Sequence, residues 1–336
     1  MRSPSMPRPM RLPVARPSDR VLALLALSAA TALWGTSFVA AKVVLDAVPP
    51  VTLAVLRFAI GLAVLLPLTR AAGVRPARGR VPALLGLTGV ALLFLCQNVG
   101  LERTSAANAT LIMNGAYPVL TAALAAAFLR ERLTGRLALG IPISLVGVAA
   151  TVVGGSGTGL DVSVVGDLLI LAGTLCAALY AVIGRRAFAG TGADLLANLS
   201  GSTLYGTLFL LPIAAFEVQS VGVPSPAPGD WLLIAYLGAG CSGLTYLLWA
   251  YGLRHLGAGE GATVCNLEIA VGVVAASILL GEPLAAVQLA GGALILAGAW
   301  VAAGRAAPRA AVDAAGTTGH AAMPAATVVG APVGAR

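Results

Sequence analysis

The sequence predicts an all-α integral membrane protein, ten transmembrane helices arranged as two inverted five-helix repeats. Three observations carry that prediction. First, 58% of the 336 residues are apolar and only 10% are charged, whereas an ordinary soluble domain has about 25% charged residues. A chain with a mean hydropathy of +0.93 cannot cover itself with polar surface, so a water-soluble globule is excluded. Disorder over most of the length is excluded too, because disordered segments are poor in apolar residues. Second, ten oily runs follow one another with short turns between them. Third, the later runs echo the earlier ones in order.

Residues 1–20 contain five Arg and five Pro and read as a disordered basic tail. The oily stretch from Val21 to Leu45 is broken only by Lys42. It exceeds the roughly 7–15 residues of a signal-peptide core and reaches the roughly 20 that a helix needs to span a bilayer. It is therefore expected to be the first span, not a cleaved leader. The runs in order are 21–41, 50–69, 81–101, 105–128, 136–155, 165–184, 195–216, 231–251, 259–280 and 284–304. Backbone polar groups in lipid must be bonded internally, so each run is expected to be a helix. Strands of a membrane barrel would be about half as long and would alternate in polarity. Residues 305–336, rich in Ala, Gly and Pro, read as a second disordered tail.

Charge placement orients the chain. The net charge is +8, from 20 Arg and the single Lys42 against 13 acids. These charges lie in short clusters between oily runs, not along one face, so nucleic acid is not expected as a partner. With the N-terminus inside, the inner segments hold 18 of the basic residues and the outer turns only Lys42 and Arg103, while Arg57 lies within a span. That asymmetry places both termini in the cytoplasm of a multi-pass protein of the cell (inner) membrane. The cysteines Cys96, Cys176, Cys241 and Cys265 all fall inside oily runs without a CxxC pair. They are expected to be buried apolar side chains, forming neither disulfide nor metal site.

The echo between halves is residue by residue. Gly61 and Pro67 in run two fall on Gly206 and Pro212 in run seven at an offset of 145. Gly86 and Gly100 in run three correspond to Gly238 and Gly252 in run eight, at an offset of 152. Glu131, Gly140 and Gly147 correspond to Glu282, Gly291 and Gly298 at 151. The first repeat thus covers 21–155 and the second 165–304. Five spans per repeat is an odd number, so the halves sit upside down relative to each other. Inverted repeats are common in secondary transporters, which place substrate near the midplane at the repeat interface.

Several short motifs now carry a resemblance. Leu33-Trp34-Gly35-Thr36-Ser37-Phe38 in run one, Pro49-Pro50 before Leu56-Arg57-Phe58 in run two, and Leu-x-Glu-x-Leu at both Glu131 and Glu282 are together similar to the EamA family of the drug/metabolite transporter superfamily. The resemblance covers about 21–304. It implies a ten-helix transporter, commonly an exporter of amino acids or other small metabolites, with its site between the halves. One departure concerns span nine, where the family often has Glu-Pro and this chain has Glu268-Ile269, whereas span four keeps Pro118 after Tyr117.

Ionisable side chains deep in a span are costly and are functional candidates by default. Glu268 lies about 14 Å into run nine and is the acid nearest the midplane, with Tyr117 as its counterpart in the first repeat. It either serves transport or pins neighbouring helices. Arg57, about 10 Å into run two, either grips a substrate carboxylate, locks Glu268 or a carbonyl, or snorkels outward. Trp34, Asn114, Tyr117, Tyr180, Tyr246 and Trp249 are candidates to line a cavity for an amphipathic metabolite. Trp231 and Trp300 read as interface belt residues, Lys42 and Asp46 as interface anchors, Glu131 and Glu282 as turn residues. The paired glycines of runs five and ten read as close-packing seams.

No Walker A pattern is present, so ATP is not expected to drive transport directly. His255 and His320 support neither a metal site nor a general-base site, so no enzyme, cofactor or metal is expected. The expected partners are a small-molecule metabolite and the lipid bilayer. A homodimer stays open. The alternative class is a lipid-linked substrate flippase or a transport helper subunit. The charge asymmetry yields a direct test of topology. A reporter active only outside the cell should work when fused after Gly159 or Val223 and be silent after Ala77 or at the C-terminus. The opposite pattern would remove the ten-span reading.

Overall fold

A computed structural model describes residues 17–129, 135–155, 160–187, 192–256, 264 and 267–303. The two tails beyond these limits, Glu131 and Cys265 lie outside the described residues. Helices α1 (Pro17–Leu45), α2 (Pro50–Ala71), α3 (Arg80–Arg103), α4 (Ala106–Leu129) and α5 (Gly135–Gly155) come from the N-terminal half. Helices α6 (Leu160–Ala187), α7 (Gly192–Val221), α8 (228–255), α9 (Leu267–Leu280) and α10 (Ala286–Ala303) come from the C-terminal half. Among the described residues there is no strand.

Seven of these helices, α1 to α4 and α6 to α8, are long and apolar enough to cross a membrane, and α5, α9 and α10 are shorter apolar helices. The helix ends match the oily runs within a few residues, except at α9. Its described part begins at Leu267, eight residues after the run begins, and residues 257–263 and 265–266 lie outside the description. Helix α1 begins at Pro17, inside the stretch expected to be a tail. Large apolar side chains such as Phe128, Phe216, Leu232, Ile278 and Trp300 face outward. Such a surface needs lipid, not water, against it. The protein is a multi-pass membrane protein.

Two irregularities escaped the sequence reading. Helix α3 passes through a π-helical segment at Leu87–Leu92, and α8 through another at Tyr236–Leu244. They fall on corresponding stretches of the two halves. A π turn inserts an extra residue into the helix, is rare, and is frequently found at functional sites.

Helices pack chiefly across the halves. Helix α1 lies on α8 and α9 as α6 lies on α3 and α4, α2 meets α7 and α8, α7 meets α3, and α5 pairs with α10. Glycines make these contacts close. A Cβ on Gly86 would sit 2.7 Å from Gly206 N, and one on Gly61 3.4 Å from Gly238 O. Gly100 and Gly166 each place a Cβ position 2.8 Å from the other's carbonyl, and Gly252 seats against Leu27 and Ala23. Between α5 and α10 the Cβ position of Gly147 is 2.7 Å from Gly291 O, and that of Gly298 is 2.7 Å from Gly140 O. The glycines spaced by seven therefore form a seam within one chain. Buried hydroxyls are disposed of locally: Thr31, Thr69, Thr110, Thr151 and Thr174 each donate to the carbonyl four residues earlier.

One end of the bundle is fastened by charged and polar groups. Glu217 at the end of α7 accepts from Val51 N (3.1 Å), Thr52 N (2.7 Å) and Thr52 Oγ1 (2.8 Å), capping α2. Glu282 accepts from Ala106 N (2.8 Å) and Ala107 N (2.9 Å), capping α4. Anions at helix N-termini satisfy orphan donors and complement the helix dipole. Lys42, expected to be an interface anchor, instead turns inward and donates to Leu101 O (2.6 Å) and Thr104 O (2.8 Å) at the end of α3. These carbonyls end a helix and lack an intrahelical donor, and the lysine provides one.

The α5–α10 seam generates a stability prediction. Gly147→Ala must push backbone apart and should cost about 1–3 kcal/mol, lowering the detergent melting temperature. Gly135→Ala, with nothing within 4 Å of its Cβ position, should leave it unchanged.

Candidate functional site

Near the centre of the bundle α1, α2, α3, α6 and α8 enclose a small cavity. Arg57 of α2 is the one charged residue lining it among the described residues, with Trp34 of α1, Phe94 of α3, Tyr180 of α6 and Ser242 and Tyr246 of α8 around it. Gly89 and Ser242 belong to the two π-helical segments. At Gly89 the lack of a side chain is required, since a Cβ would lie 2.0 Å from the Tyr180 ring. The cavity volume is about 20 Å³, room for about one water molecule. Ligand pockets occupy roughly 300–1,000 Å³, so the cavity as it stands is too small for a metabolite.

Arg57 is 4% exposed, which rules out snorkelling. Its Nε donates to Ser242 Oγ at 2.8 Å, and its Cζ lies 4.7 Å from the centre of the Phe94 ring. A desolvated cation over an aromatic face gains about 2 kcal/mol, far less than burying an unpaired charge costs. No carboxylate lies within ion-pair distance of Arg57 among the described residues. The lock on Glu268 considered from the sequence is therefore absent. Neither Ser242 nor Phe94 was singled out from the sequence. The sole signal was indirect, a mid-span arginine demanding partners from another helix.

Trp34 is pinned by its Nε1 donating to Cys241 O at 3.1 Å, with Tyr246 edge-on at 5.8 Å and Trp249 at 5.2 Å. Trp249 is fully buried behind Trp34 and does not line the cavity. Its place there is that of a packing residue.

Glu268, Asn114 and Tyr117 gather at a second cluster between α4 and α9. Glu268 is 1% exposed, and the side chain that approaches it is Asn114. Its level in the bundle is set by Gly35 of α1, whose Cβ position is 2.7 Å from Glu268 O. Asn114 is the ninth residue of α4, about 12 Å from that helix's start. Pro118, inside α4, carries no N–H, so it offers no helical bond to the Asn114 carbonyl. The Tyr117 hydroxyl sits beside Thr121. Cys241 lies in electrostatic range of both Arg57 and Glu268, and Tyr246 of both Arg57 and Tyr117. Arg57 and Glu268 thus flank one shared aromatic wall without touching.

A third polar group was missed. Asp167 on α6 is 1% exposed, accepts from Thr104 Oγ1 and from Asn108 Nδ2 (3.1 Å), and Gln288 Nε2 donates to Asn108 Oδ1 at 2.7 Å. It belongs to the fastened end, near Lys42 and Glu282, and its position two residues into an oily run disguised its burial.

The sequence matches the EamA-like transporter family over residues 21–153 and 164–304. The chain belongs to that family. This EamA-like protein is therefore a membrane transporter of the drug/metabolite transporter superfamily. It is 31% identical over 280 residues to the Bacillus subtilis protein named uncharacterized transporter YyaM, spanning 80% of this chain and 90% of that protein. It is 31% identical to a probable amino-acid metabolite efflux pump of Salmonella typhimurium, across 84% of this chain and 94% of the other. A probable terminal-alkyne amino-acid exporter of Streptantibioticus cattleyicolor is 28% identical, with 82% and 91% covered. A crystal structure at 22% identity and a TM-score of 0.56, covering 86% of this chain and 97% of its own, shows the same fold.

Proposed function

We propose that this transporter is a secondary exporter of a small carboxylate-bearing metabolite, an amino acid or a related compound, working by alternating access. The observation that carries the reading is Arg57: a buried guanidinium without a carboxylate partner, held by Ser242 and Phe94 in a cavity between the halves. An anionic substrate would supply the missing charge and make the bidentate bonds that a guanidinium favours. The amino-acid exporter and efflux pump named among its relatives support that substrate class.

In this reading all ten helices cross the membrane, in two inverted repeats over 21–155 and 165–304, with both termini cytoplasmic. The exchange of packing partners between halves supports the repeat. So do the glycine contacts Gly86–Gly206 and Gly61–Gly238, and the π segments in α3 and α8. Glu268 carries the coupling proton. A carboxyl group at mid-depth, opened alternately to each side, binds a proton from outside and releases it within, while Arg57 holds the substrate. Tyr117, Tyr180, Tyr246 and Trp34 shape the cavity around it.

The experiment is transport in proteoliposomes under an imposed pH difference, with a panel of amino acids as substrates. Glu268→Gln should keep the fold and abolish pH-driven transport while sparing some substrate exchange. Arg57→Ala should raise the KM for carboxylate substrates by about tenfold or more, the loss of one charged bidentate contact. Full pH-driven activity in Glu268→Gln would return Glu268 to a packing residue. An unchanged KM in Arg57→Ala would remove the substrate role of the guanidinium.

A further inference from the structure

A cleft of about 600 Å³ opens at the opposite end of the bundle from the carboxylate caps. Its wall is the last turn of α2, the connection from residue 72 to 79, and the flank of α7. Three arginines surround it: Arg70 on α2, and Arg75 and Arg78 on the connection. Among the described residues none of the three side chains has a hydrogen bond or an ion pair, and no Asp or Glu occurs between Asp46 and Glu102.

The arginines are not displayed on a loose loop. Val74 N donates to Thr69 O at 3.1 Å, Ala77 N to Ala197 O at 2.8 Å, and Gly79 N to the Tyr205 hydroxyl at 3.4 Å. Ala77 presses on Gly201 of α7, where a Cβ would be 2.3 Å from Ala77 O. Gly73 and Gly79 adopt the positive φ values, 71° and 114°, that the two corners of the connection require. The backbone thus holds the three arginine positions around one opening.

The remaining lining is apolar. Leu66 and Leu204 form an apolar wall, and Leu208, half exposed, lies one turn further along α7. A small soluble anion would use only the arginines. A lipid would use both surfaces, its phosphate on the guanidinium groups and its acyl chain along the leucines. Basic pockets between helices on the cytoplasmic side suit anionic headgroups, because that leaflet presents negative charge.

We propose that this cleft binds the phosphodiester of an anionic phospholipid in the cytoplasmic leaflet, bridging α2 and α7. The leaflet assignment rests on the orientation proposed above, whereas the binding site itself does not. The test is therefore made in neutral detergent, where no leaflets exist. The full chain is titrated with dioleoyl-phosphatidylglycerol or dioleoyl-phosphatidylcholine, and bound lipid is counted by native mass spectrometry. The phosphatidylglycerol should bind at least about tenfold more tightly than the phosphatidylcholine. The triple variant Arg70→Ala, Arg75→Ala, Arg78→Ala should lose that preference, because it removes the three cations that would meet the anionic headgroup. Arg75→Glu alone should weaken it, and Arg103→Ala at the other end should not. All three arginines are exposed, and equal melting temperatures without added lipid would verify that the variants fold. Equal affinity for the two lipids, or full phosphatidylglycerol binding by both the triple variant and Arg75→Glu, would overturn the site. Displacement of the lipid by an equal concentration of glycerol 3-phosphate would also overturn it, in favour of a site for soluble phosphate esters.

Discussion

Close approach of helix backbones across the two halves of the chain is the constraint on which the rest of this structure depends. Lipid offers no hydrophobic drive for helices to associate, so packing contacts and buried polar bonds must do the work. Here glycine stands wherever α5 meets α10, α3 meets α6 and α7, and α2 meets α8. These contacts bring helix surfaces so near that Trp34 reaches the Cys241 carbonyl and Arg57 reaches Ser242. The central cavity is a by-product of that geometry. Residues of both π segments, Gly89 of α3 and Cys241 and Ser242 of α8, line it.

The polar groups sort themselves by what answers them. At the fastened end each charge has a defined partner: Glu217 and Glu282 have helix N-termini, Lys42 has a helix C-terminus, and Asp167 has Thr104 and Asn108. In the centre Arg57 has, among the described residues, one hydroxyl and the rings of Phe58 and Phe94. Stability would be better served by leucine at that position, since a buried guanidinium without its counter-charge is a net cost.

Much of the fold was legible because membrane helices announce themselves by length and oiliness, and the ends of nine runs fell within a few residues of the helices. The paired glycines of runs five and ten were legible as seams for a similar reason, since a spacing of seven marks one helical face. The π segments were not, because Leu87–Leu92 and Tyr236–Leu244 have nothing in composition that separates a π turn from an α turn. Site residues were half legible. Arg57 stood out as a charge in a span, yet Ser242 and Phe94 are ordinary residues whose role appears only once α2, α3 and α8 are brought together. Trp249 looked like Trp34 in sequence, an aromatic deep in a run, and only the packing order distinguishes the ring that lines the cavity from the ring behind it. Lys42 was read as an interface anchor and Asp167 was not singled out at all, because both lie near the end of a run, where their partners belong to neighbouring helices.

The carboxylate caps have a consequence for biogenesis. The helices that Glu217 and Glu282 cap are α2 and α4, which leave the ribosome well before α7 and the α9–α10 connection exist. The same is true of Trp34 and Arg57, whose partners Cys241 and Ser242 are synthesised about two hundred residues later. Until then the N-terminal half sits in the bilayer with exposed helix ends and an unsatisfied guanidinium. It is a half-finished surface that only its own C-terminal half can complete. These bonds of the N-terminal half can therefore form only after their C-terminal partners have been synthesised.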